Sequence, residues 1–183
     1  MIIGITGKSG SGKTYISDLL AQKRRIAKIT TYTTRPIREG EIEGMTYHYL
    51  TNEQFNPNDY ILVNHIVDKN WWYGTNKEDI ESKLNRNEDF ILVVDPIGVR
   101  EIKRLYPNDS VIINLNCDDK IRMIRSLCRE NKVDCLEIAK RFIRDERDFE
   151  NLRFDLEIDN NGDAIDTVLK LEAKLFEPVD SNM

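Results

Sequence analysis

The sequence predicts an α/β fold built on a mostly parallel sheet, and three observations carry that reading. The chain opens with an apolar run, a glycine-rich turn and a helix-period segment in immediate succession. Near-continuous apolar runs at Phe90–Asp95 and 111–115 suit strands buried on both faces. Between and after them come charged segments of helical period, and strands alternating with helices imply parallel pairing. A length of 183 residues suits one domain, or one core with small insertions.

In chain order, Met1–Thr6 reads as a buried strand. Tyr15 to about Lys23 reads as a helix, with Ile16, Leu19 and Leu20 on one face. Residues 26–32 are rich in β-branched side chains and predict a second strand. The following "TTRPIREGEIEG" contains Pro36, Gly40 and Gly44, which argue against a long regular element. Tyr47–Leu50 and Tyr60–Val63 read as short strands. In "TNKEDIESKL", Thr75 with Glu78 three residues on forms a capping box and predicts a helix start. The strand at 90–95 ends in Asp95, at the carboxyl edge where parallel sheets place functional groups. Residues 118–130 and 135–150 read as charged helices. A last strand at 155–159, an Asn161-Gly162 turn and a helix to about Phe176 follow, with "EPVDSNM" as a frayed end.

Composition narrows the function classes. A net charge of -5 argues against a large phosphate-backbone footprint, so no nucleic-acid partner is expected, although a local basic pocket is allowed. Cys117, Cys128 and Cys135 form no CxxC pair and no histidine cluster accompanies them; a zinc site is not expected, and reduced thiols suit the cytoplasm. No apolar run approaches the roughly 20 residues of a membrane span. The glycine loop from Gly7 leaves no room for a signal-peptide apolar region, so a cytoplasmic protein without a membrane partner is expected.

The segment Gly7-Lys8-Ser9-Gly10-Ser11-Gly12-Lys13-Thr14 matches the phosphate-binding loop pattern in full, between a strand and a helix. Its glycines let backbone N–H groups converge on one phosphate, and the helix start adds positive partial charge. Gly7, Ser9, Gly10, Ser11, Gly12 and Lys13 are the candidate nucleotide contacts, with Lys13 reaching the β- and γ-phosphates. Thr14 offers its hydroxyl to Mg²⁺. Kinases, GTPases and motors all share this loop, so alone it specifies a nucleoside triphosphate and no more; ATP is the expected donor.

Further on, Arg35 and Arg38 lie three apart and are followed by Glu41 and Tyr47. Paired guanidinium groups can grip a phosphate through several N–H bonds. The run Thr33-Thr34-Arg35-Pro36-Ile37-Arg38-Glu39-Gly40-Glu41-Ile42-Glu43-Gly44-Met45-Thr46-Tyr47 resembles the GMP-binding segment of guanylate kinases, T-T-R-x-x-R-x-G-E-x-x-G-x-x-Y, at every fixed position. Trp72-Tyr73-Gly74-Thr75 is similar to the family's YYGT-like signature, and Val93-Val94-Asp95-Pro96-Ile97-Gly98 to its D-x-D-x-x-G element. "RMIRSLCRE" and "AKRFIRDE" can supply a basic lid, and Asn160 matches the asparagine that ends the last strand.

The resemblance implies a three-layer P-loop kinase fold with a small monophosphate-binding subdomain and a helical lid. Residues 1–183 would form one domain: a core of about 1–30, 88–118 and 153–178, an acceptor region of about 31–87 and a lid of about 119–150. It implies transfer of the ATP γ-phosphate to a nucleoside 5′-monophosphate, with GMP or dGMP the first guess. Arg35, Arg38 and Tyr47 would hold the acceptor phosphate, with Tyr73 assisting. Thr31, Glu41, Thr75 and Asp95 would line the nucleoside side, and Asn160 the donor side. Arg125, Arg129 and Arg141 would join Lys13 over the transferring phosphate, where spreading negative charge calls for arginine.

Two positions depart from the family. It normally carries a glutamate ten residues before the signature glycine, to accept from guanine N–H groups; counting back from Gly74 reaches Asn64. A carboxamide has one acceptor oxygen and two donors, so guanine is read less well and another base could fit. Val93 replaces the first acid of D-x-D, leaving Asp95 alone. The consecutive Trp71, Trp72 and Tyr73 could stack a base or simply fill the core. Two other functions stay open at this stage: a guanylate-kinase-like binding module without catalysis, and a P-loop kinase for another small phosphorylated acceptor. A monomer and a homodimer both remain open.

Overall fold

The computed structural model describes residues 1–38, 40–128 and 134–176. At its centre β1 (Ile2–Thr6) is flanked by β7 (Phe90–Val93) and β8 (Ser110–Asn116), with β2 (Ala27–Lys28) and β9 (Leu156–Asp159) at the edges. All pairings in this β2-β7-β1-β8-β9 sheet are parallel. Successive side chains of a strand point to opposite faces, and the core divides accordingly. Ile2, Phe90, Leu92 and Ile112 pack on Ile80, Val99 and Ile102. Ile3, Ile5, Ile91 and Ile113 pack on Ile16, Leu20, Val168 and Leu171. Helix α1 (Lys13–Arg24) and α6 (Ala164–Phe176) therefore cover one face. Helices α2 (Lys77–Asn85) and α3 (Pro96–Leu105) send side chains into the other face, completing three layers.

A second, mixed sheet has the order β4-β3-β6-β5. It comprises β3 (Tyr32–Thr33), β4 (His48–Tyr49), β5 (Tyr60–Ile66) and β6 (Trp71–Asn76). β6 pairs antiparallel with β3 and β5, and the β5–β6 register shifts between Ile61 and Asn64. Helices α4 (Asp119–Leu127) and α5 (Cys135–Asp148) stand between β8 and β9 in sequence.

Several elements differ from the sequence expectation. The strand expected at 26–32 divides: Ala27–Lys28 joins the parallel sheet beside β7, and Tyr32–Thr33 enters the second sheet. β-branched composition favours extended backbone without specifying the partner sheet. The cap of α2 is Asn76, whose Oδ1 accepts from Glu78 N at 2.8 Å, whereas Thr75 is a buried strand residue opposite Ile61. Helix α3 was not anticipated, although Asp95 accepts from Gly98 N at 2.8 Å and Pro96 occupies the first turn, the pattern of a capped start. Strand β6 was also not expected, because three consecutive aromatics followed by Gly74 show none of the apolar–polar alternation that marks a half-buried strand. The expected extension of α4 to 130 and the frayed tail from 177 lie outside the described residues.

Candidate functional site

Between β1 and α1 the chain turns through Gly7, Gly10 and Gly12, with φ of 150°, 79° and 92°. These values disfavour a side chain. At Gly12 an added Cβ would also come within 2.6 Å of Asn160 Nδ2. Lys13 Nζ donates to Gly7 O at 2.7 Å and Lys8 O at 3.2 Å, so its ammonium lies over the loop. Thr14 is exposed on the first turn of α1. The Ser11 and Thr6 hydroxyls are buried without a hydrogen-bond partner. Buried polar groups are ordinarily satisfied, and these two lie just before and within the glycine turn, a cradle in which Ser9 N donates to Asp145 Oδ2 and Ser11 N to Lys8 O.

The end of β9 locks this cradle. Asn160 Nδ2 donates to Ser11 O at 2.7 Å while its Oδ1 accepts from Thr167 Oγ1 at 2.9 Å. Arg125, from α4, donates through Nη1 to Asn160 O at 3.0 Å and lies 3.3 Å from Cys117 Sγ. Burial pushes the Cys117 thiol up despite Arg125 nearby.

The two helices 119–127 and 135–148 also touch the loop. Arg122 is 1% exposed; its Nε donates to Ser9 O at 2.9 Å and its Nη2 to Asp145 Oδ2 at 3.1 Å. The same Asp145 oxygen accepts from Ser9 N at 2.6 Å. Further along α5, Glu137 divides its carboxylate between Lys69 Nζ at 2.7 Å and Arg141 Nε at 3.1 Å. Partial burial pushes the Glu137 carboxyl up, but Lys69 and Arg141 together hold it below the ordinary range. That three-residue link ties α5 to the loop between β5 and β6, where Lys69 also lies over the Trp71 ring.

On the second sheet, Arg35 is 4% exposed and donates through Nη2 to both Glu41 oxygens at 2.8 and 2.9 Å. Its Nη1 donates to Pro36 O at 2.7 Å. Glu41 also accepts from Arg38 N at 2.9 Å and Tyr49 Oη at 2.8 Å. The Arg35 guanidinium lies over the Tyr47 and Tyr49 rings, and Tyr73 packs edge-on to Tyr47. Burial raises the Glu41 carboxyl, yet the Arg38 N–H, the Tyr49 hydroxyl and Arg35 outweigh it and leave it below the ordinary range. Burial and the neighbouring Glu41 push Tyr49 up to about 12. Burial lowers the Arg35 value and Glu41 more than restores it, so the guanidinium stays charged. Beside this cluster, Asn64 Nδ2 donates to Asp95 Oδ2 at 2.5 Å, joining β5 to the end of β7.

A sequence profile of the guanylate kinase family matches residues 1–177. The chain belongs to the guanylate kinase family. A guanylate kinase of Prochlorococcus marinus (strain MIT 9312) is 29% identical over 188 residues, covering 96% of each chain. One from Hydrogenovibrio crunogenus is 36% identical over 109 residues, which are 57% of this chain and 52% of that protein. The chain thus matches about half the length of several such relatives. The crystal structure of the Anaplasma phagocytophilum guanylate kinase superposes with a TM-score of 0.72 at 19% identity, covering 96% of this chain and 84% of that one. That likeness bears on the fold.

Within this guanylate kinase-family chain the residues singled out from sequence fall into three groups. Gly7 to Thr14 gather with Asn160 and Arg125. Arg35, Arg38, Glu41, Tyr47 and Tyr73 form the second group, with Glu41 beside the arginines rather than apart from them. Asn64 and Asp95 form the third. Thr31 enters through its backbone, accepting from His48 N, and Thr75 is buried in β6. Arg141 is tied to Glu137, while Arg129 lies outside the described residues. Sequence reasoning missed Arg122, Asp145, Glu137, Lys69 and Tyr49. Tyr49 had a signal, two residues after Tyr47 on the same strand face. The others are charged residues in a charged region, and only the fold reveals which are buried.

Proposed function

We propose that the chain is an ATP:nucleoside-monophosphate phosphotransferase. The observation that carries this is an intact phosphate loop, closed by Asn160, in a chain of the guanylate kinase family. The cradle between Gly7 and Thr14 would hold the donor phosphates, with Lys13 as a mobile point charge. The buried Ser11 and Thr6 hydroxyls fit a polar guest. Thr14 would give Mg²⁺ one hydroxyl, the remaining positions coming from phosphate oxygens and water, as suits a cation that keeps much of its hydration. Mg²⁺ would supply neutralisation of the developing phosphate charge.

In this reading residues of about 31–87 form the acceptor region and about 119–150 the lid. Glu41 holds Arg35 and the Arg38 backbone in place, so that the guanidinium pair, Tyr47 and Tyr73 grip the acceptor phosphate. Thr31, Thr75, Asp95 and Asn64 serve the nucleoside side. Arg125 and Arg141 carry positive charge from the lid, and Arg129 is assigned the same role from the sequence alone. The acceptor phosphate attacks directly, without a side-chain nucleophile. The protein aligns the two nucleotides, neutralises charge and excludes water.

GMP or dGMP is the first acceptor on this reading. The Asn64–Asp95 contact favours a second reading of the base. Asn64 spends one amide hydrogen on Asp95, leaving one donor and one acceptor for the ligand rather than a pure acceptor edge. Such an edge also fits bases that present a donor beside an acceptor. Intact Lys13 and Thr14 disfavour a binding module without catalysis. A coupled assay of ADP release over ribo- and deoxynucleoside monophosphates tests the reading. Turnover with GMP supports it, and ATP binding without turnover on any monophosphate refutes it.

A further inference from the structure

Both backbone polar groups of Ser9, within the phosphate loop, are held by one ion pair from the two lid helices. Asp145 Oδ2 accepts from Ser9 N at 2.6 Å, and Arg122 Nε donates to Ser9 O at 2.9 Å. The pair closes on itself through Arg122 Nη2 and the same Asp145 oxygen at 3.1 Å. Arg122 is 1% exposed, Asp145 8% exposed, and the Phe142 ring lies 4.3 Å from the guanidinium. Asp119 Oδ1 takes Nη1 at 2.5 Å, so the guanidinium is fixed in plane by three partners. Adjacent contacts reinforce the seat. Lys8 pairs with Glu146 at 2.6 Å, and a Cβ at Gly10 would approach Arg122 O to 2.4 Å.

A charged pair is costly to bury unless its geometry is satisfied. Here the satisfied geometry is a forked clamp on a single loop residue. We propose that Arg122 and Asp145 are positioning residues for the donor nucleotide. They set the orientation of the peptide groups at Ser9, and through it the direction of the loop's N–H groups, and they couple α4 and α5 mechanically to the phosphate cradle. Neither residue needs to touch the nucleotide. The inference rests on the reading of Gly7–Thr14 as the donor's site.

Geometry and charge can be separated because one Asp145 oxygen serves both Ser9 N and Arg122. In Asp145→Asn the carboxamide oxygen can occupy that place, keeping both contacts while losing the charge. Arg122→Lys keeps the charge and loses the fork that reaches Ser9 and Asp145 together. The experiment is equilibrium binding of MgATP to the full chain, with KM values for MgATP and GMP and a thermal melt for each variant. Arg122→Lys is expected to weaken MgATP by about tenfold, the scale of one lost charge-assisted contact, with the GMP KM within about twofold. Asp145→Asn is expected to stay within about threefold of wild type.

The opposite pattern, with Lys tolerated and Asn harmful, overturns the inference in favour of bulk electrostatics. A lowered melting point with unchanged MgATP affinity overturns it in favour of a structural role. Should Arg122→Lys fail to fold, Asp145→Ala against Asp145→Asn gives the same contrast, because alanine removes the shared oxygen. Wild-type protein that binds MgATP but phosphorylates no acceptor fails the kinase reading while leaving this test intact. Wild-type turnover with unaffected variants fails this inference alone.

Discussion

Replacing Glu41 by glutamine should destabilise the second sheet and loosen the proposed acceptor grip together. The Glu41 carboxylate takes four hydrogen bonds, from Arg35 twice, from Arg38 N and from Tyr49 Oη. A glutamine oxygen placed at Oε2 keeps the Arg38 and Tyr49 bonds and one from Arg35. The amide nitrogen then stands at Oε1, donor against donor with Arg35 Nη2. Arg35, 4% exposed, loses its counter-charge. Removing one partner of a buried pair costs about 3–5 kcal/mol. Arg35 retains Pro36 O and two flanking tyrosine rings, which places the loss at about 3 kcal/mol. For a chain of this size that is a fall in melting temperature of about 6–12 °C. Calorimetry at neutral pH reads the fall, and steady-state kinetics should show a higher acceptor KM with little change in the ATP KM. A shift below about 2 °C, with both KM values unchanged, would refute the argument that Glu41 fixes Arg35.

The remaining expectations follow from the same contacts. Arg38→Ala should raise the acceptor KM and lower kcat, leaving ATP affinity within about twofold; a collapse of ATP binding would remove Arg38 from the acceptor side. Asn64→Glu sets a second carboxylate against Asp95, so the free protein should melt lower, and GMP should restore more of that loss than inosine monophosphate does, since guanine brings an extra donor. Equal rescue by both nucleotides would remove Asn64 from the base pocket. The depressed Glu41 value gives a pH dependence with a definite sign: its stabilisation is complete above the ordinary glutamate value of 4.5 and is lost as pH falls through the lower folded value. Acid melts should therefore show a steeper loss in wild type than in Glu41→Gln across that window, and equal slopes would count against the assignment.

How far the sequence reveals this molecule depends on the range of the interaction. The strands at 2–6, 90–93 and 110–116 were legible because burial on both faces leaves an uninterrupted apolar run. The phosphate loop was legible because its glycines occupy backbone conformations that other residues resist. Strand 26–32 was misjudged because extended propensity does not say which sheet will supply the hydrogen bonds. Thr75 reads as a cap locally because the pattern ignores its burial in β6 opposite Ile61; Asn76, the last residue of that strand and opposite Tyr60, supplies the cap instead. Arg35 and Glu41 were visible as types and spacing, but their mutual pairing was not. Arg122 and Asp145 stand 23 residues apart and meet over Ser9, more than a hundred residues earlier in the chain. No local period encodes such a contact.

The central claim is that one chain brings a donor triphosphate and an acceptor monophosphate into direct reaction. Incubating the protein with ATP radiolabelled at the γ-phosphate, Mg²⁺ and GMP, then separating the nucleotides, tests it most directly. The account predicts label in the diphosphate of the added nucleotide, with stoichiometric ADP and no labelled protein intermediate. Label remaining in ATP across the whole panel of monophosphates, in protein that binds ATP, would contradict it.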